Sequence, residues 1–341
     1  HPRVRRQRQM CIRDRFIGWC QHEIRKRCVE MRQVPNGRAR FLQAAALLPS
    51  PLRRELERLR AEQSEQVEEI RLRAGQRPSV LLSGEEVTPE SCRETRVSPR
   101  DLELVLEIAT QASAHTALER VRNGFVTVRG GHRLGICGSA VVRDGAVNNL
   151  RQISSLAIRV AREVPGASDE VRWGLLEQGV LRSTLILSPP GGGKTTLLRD
   201  LIRAVSDGEG CAPLRVGIAD ERGELAAMYE GVPQLNVGRR TDVLDGCPKG
   251  AGLLMLLRGM NPQVLSADEI TAPEDCAALE MAANCGVALL ATAHASDLED
   301  LRRRPLYRKL LERGIFRRAL IIRRQGGARR YQVLSLEEGA Q

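Results

Sequence analysis

Ser188-Pro-Pro-Gly-Gly-Gly-Lys-Thr-Thr196 brings together, at the spacing a phosphate cradle needs, small residues, a lysine and a hydroxyl. Glycines let backbone N–H groups turn inward on an anion, a lysine reaches the β- and γ-phosphates, and the hydroxyl that follows holds Mg²⁺. Gly191, Gly192 and Gly193 supply the first, Lys194 the second and Thr195 the third, with Ser188, Pro189, Pro190 and Thr196 completing the predicted nucleotide-binding stretch. Ser188 stands where the general pattern has glycine. That position closes the loop rather than touching phosphate, so a small residue is a tolerable exchange. Residues 183–187 read as a short apolar strand, and from Thr196 onward Leu197, Leu198, Leu201 and Ile202 fall on one helical face. Strand, loop and helix are the context the motif requires, because a helix N-terminus adds partial positive charge.

A phosphate cradle alone does not make a hydrolase, so the acids matter next. Residues 263–269 form an apolar strand ending in Asp268-Glu269, about 70 residues beyond the loop with helical segments between. A strand-end Asp holds Mg²⁺ in phosphate-loop proteins, and the adjacent Glu is then placed to polarise the attacking water. We therefore assign Asp268 to metal and Glu269 as catalytic base. A second acidic box, Asp220-Glu-Arg-Gly, follows another apolar strand, giving Asp220 as a further metal ligand and Glu221 as a further catalytic acid; the competing reading is ordinary solvated charge at a strand end. Residues 289–294 end in Thr-Ala-His, and His294 is expected to hydrogen-bond the γ-phosphate and sense its loss. Arg239, Arg240 and Arg258 lie between these boxes. Arginines donated by a neighbouring subunit stabilise charge on a transferring phosphoryl group; Arg240 and Arg258 are the candidates, the sequence does not say which acts, and a structural ion pair is the competing reading for each.

These groups need a scaffold. Strands are predicted over 184–188, 215–219, 263–268 and 287–293, with helices over 195–206, 251–259 and 273–284. Such alternation implies a parallel sheet covered on both faces, with ligands off the carboxyl ends of its strands. The loop, Asp220, Asp268 and His294 all fall at those ends. Ahead of a turn-rich boundary at 163–168 lies a mixed segment: a helix over 52–61, strands over 67–73 and 79–82, and a helix over 99–111 opened by a Ser-Pro cap. Residues 124–138 alternate around Gly130-Gly131 and read as a hairpin rather than a dinucleotide fingerprint, since no helix follows Gly135. The fold class is α/β: a RecA-like phosphate-loop ATPase domain with a mainly parallel sheet over 166–341, preceded by a smaller mixed α+β domain over 43–165.

The net charge of +11 concentrates in a basic arm, residues 1–42: by residue 40 it holds eleven Arg and Lys26 against three carboxylates, leaving the rest near neutral. The arm begins with His1, lacks an amphipathic pattern, and is expected to be foreign or disordered, with a native start at Met31 or later. Cys11, Cys20, His22 and Cys28 match no common zinc spacing. An aromatic content of 3% leaves few rings for base stacking, so no direct nucleic-acid contact is expected. Nine cysteines with no Cys-x-x-Cys pair imply reduced thiols. No run approaches a membrane span.

Taken in order, the phosphate loop, acidic box, Asp-Glu strand end and Thr-Ala-His strand end resemble the ATPases of type II and type IV secretion and pilus systems. The closer resemblance is to the stage III sporulation protein AA family, carried by residues 67–75, Gly130-Gly-His-Arg-Leu-Gly135, residues 153–159, the phosphate loop, Asp220-Glu-Arg-Gly-Glu224 and Arg240-Thr-Asp-Val-Leu-Asp245. It spans roughly residues 43–335, and that family accepts Ser at the first loop position. The resemblance implies an ATP- and Mg²⁺-dependent hydrolase in a homo-hexameric ring, on the cytoplasmic face of a mother-cell membrane, serving membrane-embedded sporulation channel or secretion proteins. A nucleic-acid-translocating motor and a non-hydrolysing assembly scaffold are the alternatives.

Overall fold

The computed structural model describes residues 37–110, 124–143, 145–325 and 328–336. Residues 1–36, with Cys11, Cys20, His22 and Cys28, lie outside them. The arm expected over 1–42 nevertheless overlaps folded chain. Helix α1 (Gly37–Ala45) buries Phe41, Ala44 and Ala45 completely, so residues 37–42 belong to a hydrophobic core. Basic composition hid this turn, because Arg40 is itself buried and ion-paired with Glu163.

Helix α2 (Ser50–Glu57) follows, ending four residues short of the helix predicted over 52–61, and α3 (Ala61–Gln66) is an addition to the sequence reading. Strands β1 (Val67–Arg73), β2 (Ser79–Leu82) and β3 (Glu85–Val87), helix α4 (Pro99–Thr110), and strands β4 (Phe125–Thr127), β5 (Arg133–Arg143) and β6 (Ala146–Arg159) complete the first half. The Ser-Pro cap on α4 is present: the Ser98 N–H donates to Asp101 Oδ2 at 2.8 Å, and the Asp101 N–H donates back to Ser98 Oγ at 3.2 Å. The expected hairpin is β4–β5, paired Phe125↔Gly135 to Thr127↔Arg133; Gly130 and Gly131 sit at φ +86° and +79°, a region that glycine alone enters freely. The sheet runs β3-β2-β1-β6-β5-β4, and its described pairings are antiparallel. Its buried face, with Ile70, Leu72, Leu134, Leu156 and Ile158, packs on Leu52, Leu56, Leu102 and Val105 of the helices.

After a short hairpin of β7 (Leu176–Glu177) and β8 (Val180–Leu181), the pattern changes to strand–helix alternation. Strand β9 (Thr184–Leu187) leads through the phosphate loop into α5 (Lys194–Asp207), followed by β10 (Val216–Asp220), the small hairpin β11 (Met228–Tyr229) and β12 (Val232–Pro233), and β13 (Thr241–Asp245). Then come α6 (Lys249–Gly259), β14 (Val264–Ala267), α7 (Pro273–Asn284), β15 (Ala288–Ala293), α8 (Leu298–Arg303), α9 (Pro305–Glu312), β16 (Arg318–Gln325) and β17 (Ala328–Ser335). The seven-stranded sheet has the order β13-β10-β14-β15-β9-β16-β17, parallel except for β17. Every residue of β9 and β14 is buried, as a sheet covered on both faces requires. Leu197, Leu198, Leu201 and Ile202 of α5 cover one face; Leu253 of α6, Leu279 of α7 and Leu310 of α9 cover the other. Strands β13, β16 and β17 are additions to the sequence reading. Half-buried β13 and the arginine-rich β16–β17 carry too much polarity to register as core strands.

Candidate nucleotide site

The parallel register aligns strand ends. Leu187 pairs with Ala293, Ala291 with Ala267, and Ala267 with Ala219, so the phosphate loop, His294, Asp268 and Asp220 leave the sheet at one edge. The loop takes its shape from glycines. Gly191 lies at φ +71°, and Gly193, which caps α5, at φ +99°. A Cβ on Gly192 would fall 1.7 Å from Ser188 Oγ, so the hydroxyl standing in for the usual glycine fills space that Gly192 leaves empty. Ser188 is buried, Pro189 and Pro190 are exposed, and Thr195 and Thr196 lie in the first turn of α5, where backbone N–H groups lack helical acceptors by geometry.

Lys194 is buried and its Nζ donates to Ser188 O (3.1 Å), Pro189 O (3.3 Å) and His294 Nδ1 (2.9 Å). Burial lowers its pKa. An ammonium can only donate, so Nδ1 of His294 accepts and the ring proton sits on Nε2, which donates to Glu269 Oε1 at 2.6 Å. The second carboxylate oxygen of Glu269 accepts from Arg222 Nη1 at 2.9 Å. Glu269 itself adopts φ +53°, a left-handed conformation that costs a non-glycine residue about 1 kcal/mol or more. Thr292 holds it there: its Oγ1 accepts the Glu269 N–H at 2.8 Å, and its carbonyl accepts that of Ile270 at 3.0 Å.

Asp268 lies between two hydroxyls, accepting from Thr195 Oγ1 and Thr292 Oγ1, both at 2.5 Å. Burial pushes its carboxyl pKa up, and the two hydroxyl hydrogen bonds oppose that. Thr195 and Asp268 are hard oxygen donors of the kind Mg²⁺ selects. Among the described residues no cluster of three His, Cys, Asp or Glu could hold a metal by itself. The donor set therefore fits an ion that arrives on nucleotide phosphates, the usual habit of Mg²⁺.

Asp220 does not join this group. Its Oδ1 accepts the Glu224 N–H (2.9 Å) and its Oδ2 the Ala226 N–H (2.8 Å), while the Leu225 N–H reaches both. A carboxylate engaged by three backbone amides shapes a turn, and no hydrogen bond joins it to Thr195 or Asp268. Burial raises its pKa and those amides oppose the shift. Arg199 of α5 clamps the same turn from the other side, donating to Leu225 O and Glu224 O. Glu221 is paired with the buried Lys249 at 2.6 Å, while its neighbour Arg222 reaches Glu269. Arg240 precedes β13, its N–H bonded to Ser206 Oγ and its side chain to Pro213 O, and Arg258 closes α6 ahead of β14. Both lie at the amino-terminal edge of the sheet, opposite their own phosphate loop. Arg222 is the reverse case: it joins its own subunit's site.

Sequence reading missed Thr292, Arg199 and the placement of Arg222. Thr292 carried a findable signal, standing two residues before His294 on a strand and hence on the same face. Arg199 offered none beyond a charge inside an apolar helix.

Fold and site define a protein of the phosphate-loop α/β class, RecA-like in its mainly parallel sheet. The chain belongs to the family described as Sporulation stage III, protein AA, which matches residues 39–341. It is 38% identical over 284 residues to Stage III sporulation protein AA of Bacillus subtilis (strain 168), covering 83% of this chain and 91% of that one. Its fold resembles the Legionella pneumophila ATPase DotB (TM-score 0.54, 14% identity, 88% of this chain and 80% of that one). It also resembles the pilus retraction motor PilT solved with bound ADP (TM-score 0.56, 18% identity, 80% and 81%). At these identities the likeness to DotB and PilT is one of fold. Among the described residues no helix is long and apolar enough to cross a membrane.

Proposed function

We propose that this chain hydrolyses ATP with Mg²⁺ as a subunit of a homo-hexameric ring, and that turnover energises assembly of, or transport through, a membrane channel complex during endospore formation. The observation that carries the reading is the convergence of Lys194, Thr195, Asp268, Glu269 and His294 through hydrogen bonds at one sheet edge. Membership of a sporulation family and a fold shared with an ATPase and a pilus motor support the setting. The proposed organisation is an N-terminal domain over 43–165, preceded by residues 37–42, which pack into its core, and an ATPase domain over 166–341. The ring would sit at the mother-cell cytoplasmic face of the membrane, against membrane-embedded sporulation proteins and without direct contact to nucleic acid.

In this reading Lys194 turns from the Ser188 and Pro189 carbonyls to the β- and γ-phosphates. Thr195 and Asp268 hold Mg²⁺, whose part when bound is to neutralise phosphate charge. Glu269 accepts the proton of the attacking water. Neutral His294 holds Oε1 of Glu269, and Arg222 holds Oε2, so the carboxylate is oriented before substrate arrives. Arg240 and Arg258, remote from their own loop, act on a neighbouring subunit's nucleotide. The test is phosphate release from the purified chain with Mg-ATP. Turnover that Lys194→Ala abolishes supports the reading. Nucleotide binding without phosphate release would favour the scaffold, and release unchanged by Lys194→Ala would refute the site.

A further inference from the structure

Strand β16 outlasts its parallel neighbour. It pairs with β9 from Arg318↔Thr184 to Ile321↔Leu187, where β9 ends and the phosphate loop begins. It then runs four residues further, to Gln325, before β17 returns. At about 3.3 Å per residue this carries the hairpin roughly 13 Å past the sheet edge, alongside the loop.

The projecting tip holds four exposed arginines in two cross-strand pairs, Arg323↔Arg330 and Arg324↔Arg329. Like charges directly opposite one another destabilise an antiparallel pair. Among the described residues no carboxylate pairs with any of the four. Strand alternation sends the two pairs to opposite faces. Leu320, Ile322, Tyr331 and Val333 pack in the α5-side core, so Arg324 and Arg329, in phase with them, stand on the face that carries the loop and α5. Ile321 and Leu334 pack on the other side, which is where Arg323 and Arg330 point. Geometry at Gly193 agrees: a Cβ there would lie 3.0 Å from Nε and 3.1 Å from Nη2 of Arg329. The guanidinium thus rests directly over the residue that caps α5.

We propose that Arg324 and Arg329 form a second phosphate clamp, in which the β16–β17 hairpin supplies two guanidinium groups to the phosphates of the nucleotide held by the same chain's loop. The proposal rests on the nucleotide-site reading and adds to it a binding element from the C-terminal end of the chain. Guanidinium groups match phosphate geometry, and an anion between them removes the repulsion that the cross-strand pair otherwise carries. A triphosphate has more charge to offer than a diphosphate, so the clamp discriminates between them.

The experiment titrates the full chain with Mg-ADP and with a non-hydrolysable Mg-ATP analogue, by calorimetry. Arg329→Ala, and more so Arg324→Ala with Arg329→Ala, weakens the triphosphate analogue about tenfold or more, with a smaller loss for ADP. Arg323→Ala with Arg330→Ala, on the opposite face, leaves both affinities within about twofold. Arg329→Lys recovers part of the loss. Melting temperature without nucleotide separates lost contact from lost fold, and Arg324→Ala alone carries the same test should Arg329→Ala unfold. Wild-type affinity in the Arg324/Arg329 variant, or equal losses in both double variants, overturns the clamp. A wild-type chain that binds neither nucleotide overturns the underlying site as well.

Discussion

Nε2 of His294 lies 2.6 Å from Oε1 of Glu269, and the same imidazole takes a proton bond from Lys194 Nζ at 2.9 Å through Nδ1. One ring therefore ties Lys194 to Glu269. Under the proposed function, a nucleotide that draws Lys194 to its phosphates would remove the donor at Nδ1, and Glu269 would sense that change through the ring.

Separate roles for these residues make the first prediction. Lys194→Ala abolishes nucleotide binding, whereas Glu269→Gln retains it and slows turnover by about 10²–10⁴-fold. Binding by calorimetry and phosphate release by a coupled assay check the two arms. Equal loss of affinity in both variants would refute the division of labour.

Thr292 is expected to matter for turnover more than for binding. Its hydroxyl donates to Asp268 and accepts the Glu269 N–H, so Thr292→Val removes both bonds at nearly constant shape. Phosphate release falls about tenfold or more while affinity for a non-hydrolysable analogue stays within about threefold. Thr292→Ser, which keeps the hydroxyl, retains most of the rate.

Asp220 separates a structural from a metal role. Asp220→Asn removes the charge from all three amide contacts and turns one acceptor oxygen into an NH2 donor, and the melting temperature should drop by on the order of 5 °C. The Mg²⁺ concentration for half-maximal phosphate release is expected to be unchanged in the surviving folded protein. A variant of normal stability with a raised Mg²⁺ requirement would return Asp220 to the metal.

His132 gives stability a pH dependence. It is fully buried, and burial, with the nearby Arg40 charge, lowers its pKa to about 4 from 6.5. Between those values the unfolded chain binds the proton and the folded chain does not. Its contribution is thus fully present above pH 6.5 and is lost as pH falls toward 4, by about 3 kcal/mol in all. Urea unfolding at pH 7 and pH 5 should show a difference of about 2 kcal/mol that His132→Gln removes. An identical pH dependence in that variant would acquit the imidazole.

Oligomer dependence follows from where the arginines sit. Arg240 and Arg258 occupy the edge opposite their own loop, so any action on nucleotide comes from a neighbour. Specific activity is expected to rise with protein concentration, and a trans arginine is worth roughly 10³–10⁵ in rate. Mixing Lys194→Ala subunits, which still donate arginines, with Arg240→Ala or Arg258→Ala subunits, which still bind nucleotide, restores part of the rate. Flat activity on dilution and no restoration on mixing would refute the ring mechanism.

Much of this arrangement was legible in the residues. The phosphate loop, Asp268, Glu269 and His294 announce themselves because apolar strands end abruptly in polar groups, and a parallel sheet gathers such ends at one edge. Asp220 carries the same signature yet spends its charge on the amides of Glu224, Leu225 and Ala226. Strand-end position does not say which way a carboxylate turns. Proximity in sequence misled for the arginines: Arg222 and Arg240 stand 18 residues apart but at opposite ends of a sheet, because β13 must begin where β10 begins. The β16–β17 hairpin escaped notice because its arginines dilute the apolar alternation that marks a strand.

The fit between Ser188 and Gly192 imposes an order on how the loop can change. With the Ser188 hydroxyl 1.7 Å from where a Cβ on Gly192 would sit, any side chain at 192 is excluded while Ser188 remains. Gly192 has no positive φ to forbid alanine, so the exclusion comes from packing rather than backbone conformation. Ser188→Gly first and Gly192→Ala second is therefore a passable route, whereas the reverse order crosses a broken loop. Positions 188 and 192, four residues apart, are thus coupled through packing, and the choice of residue at one limits the choice at the other.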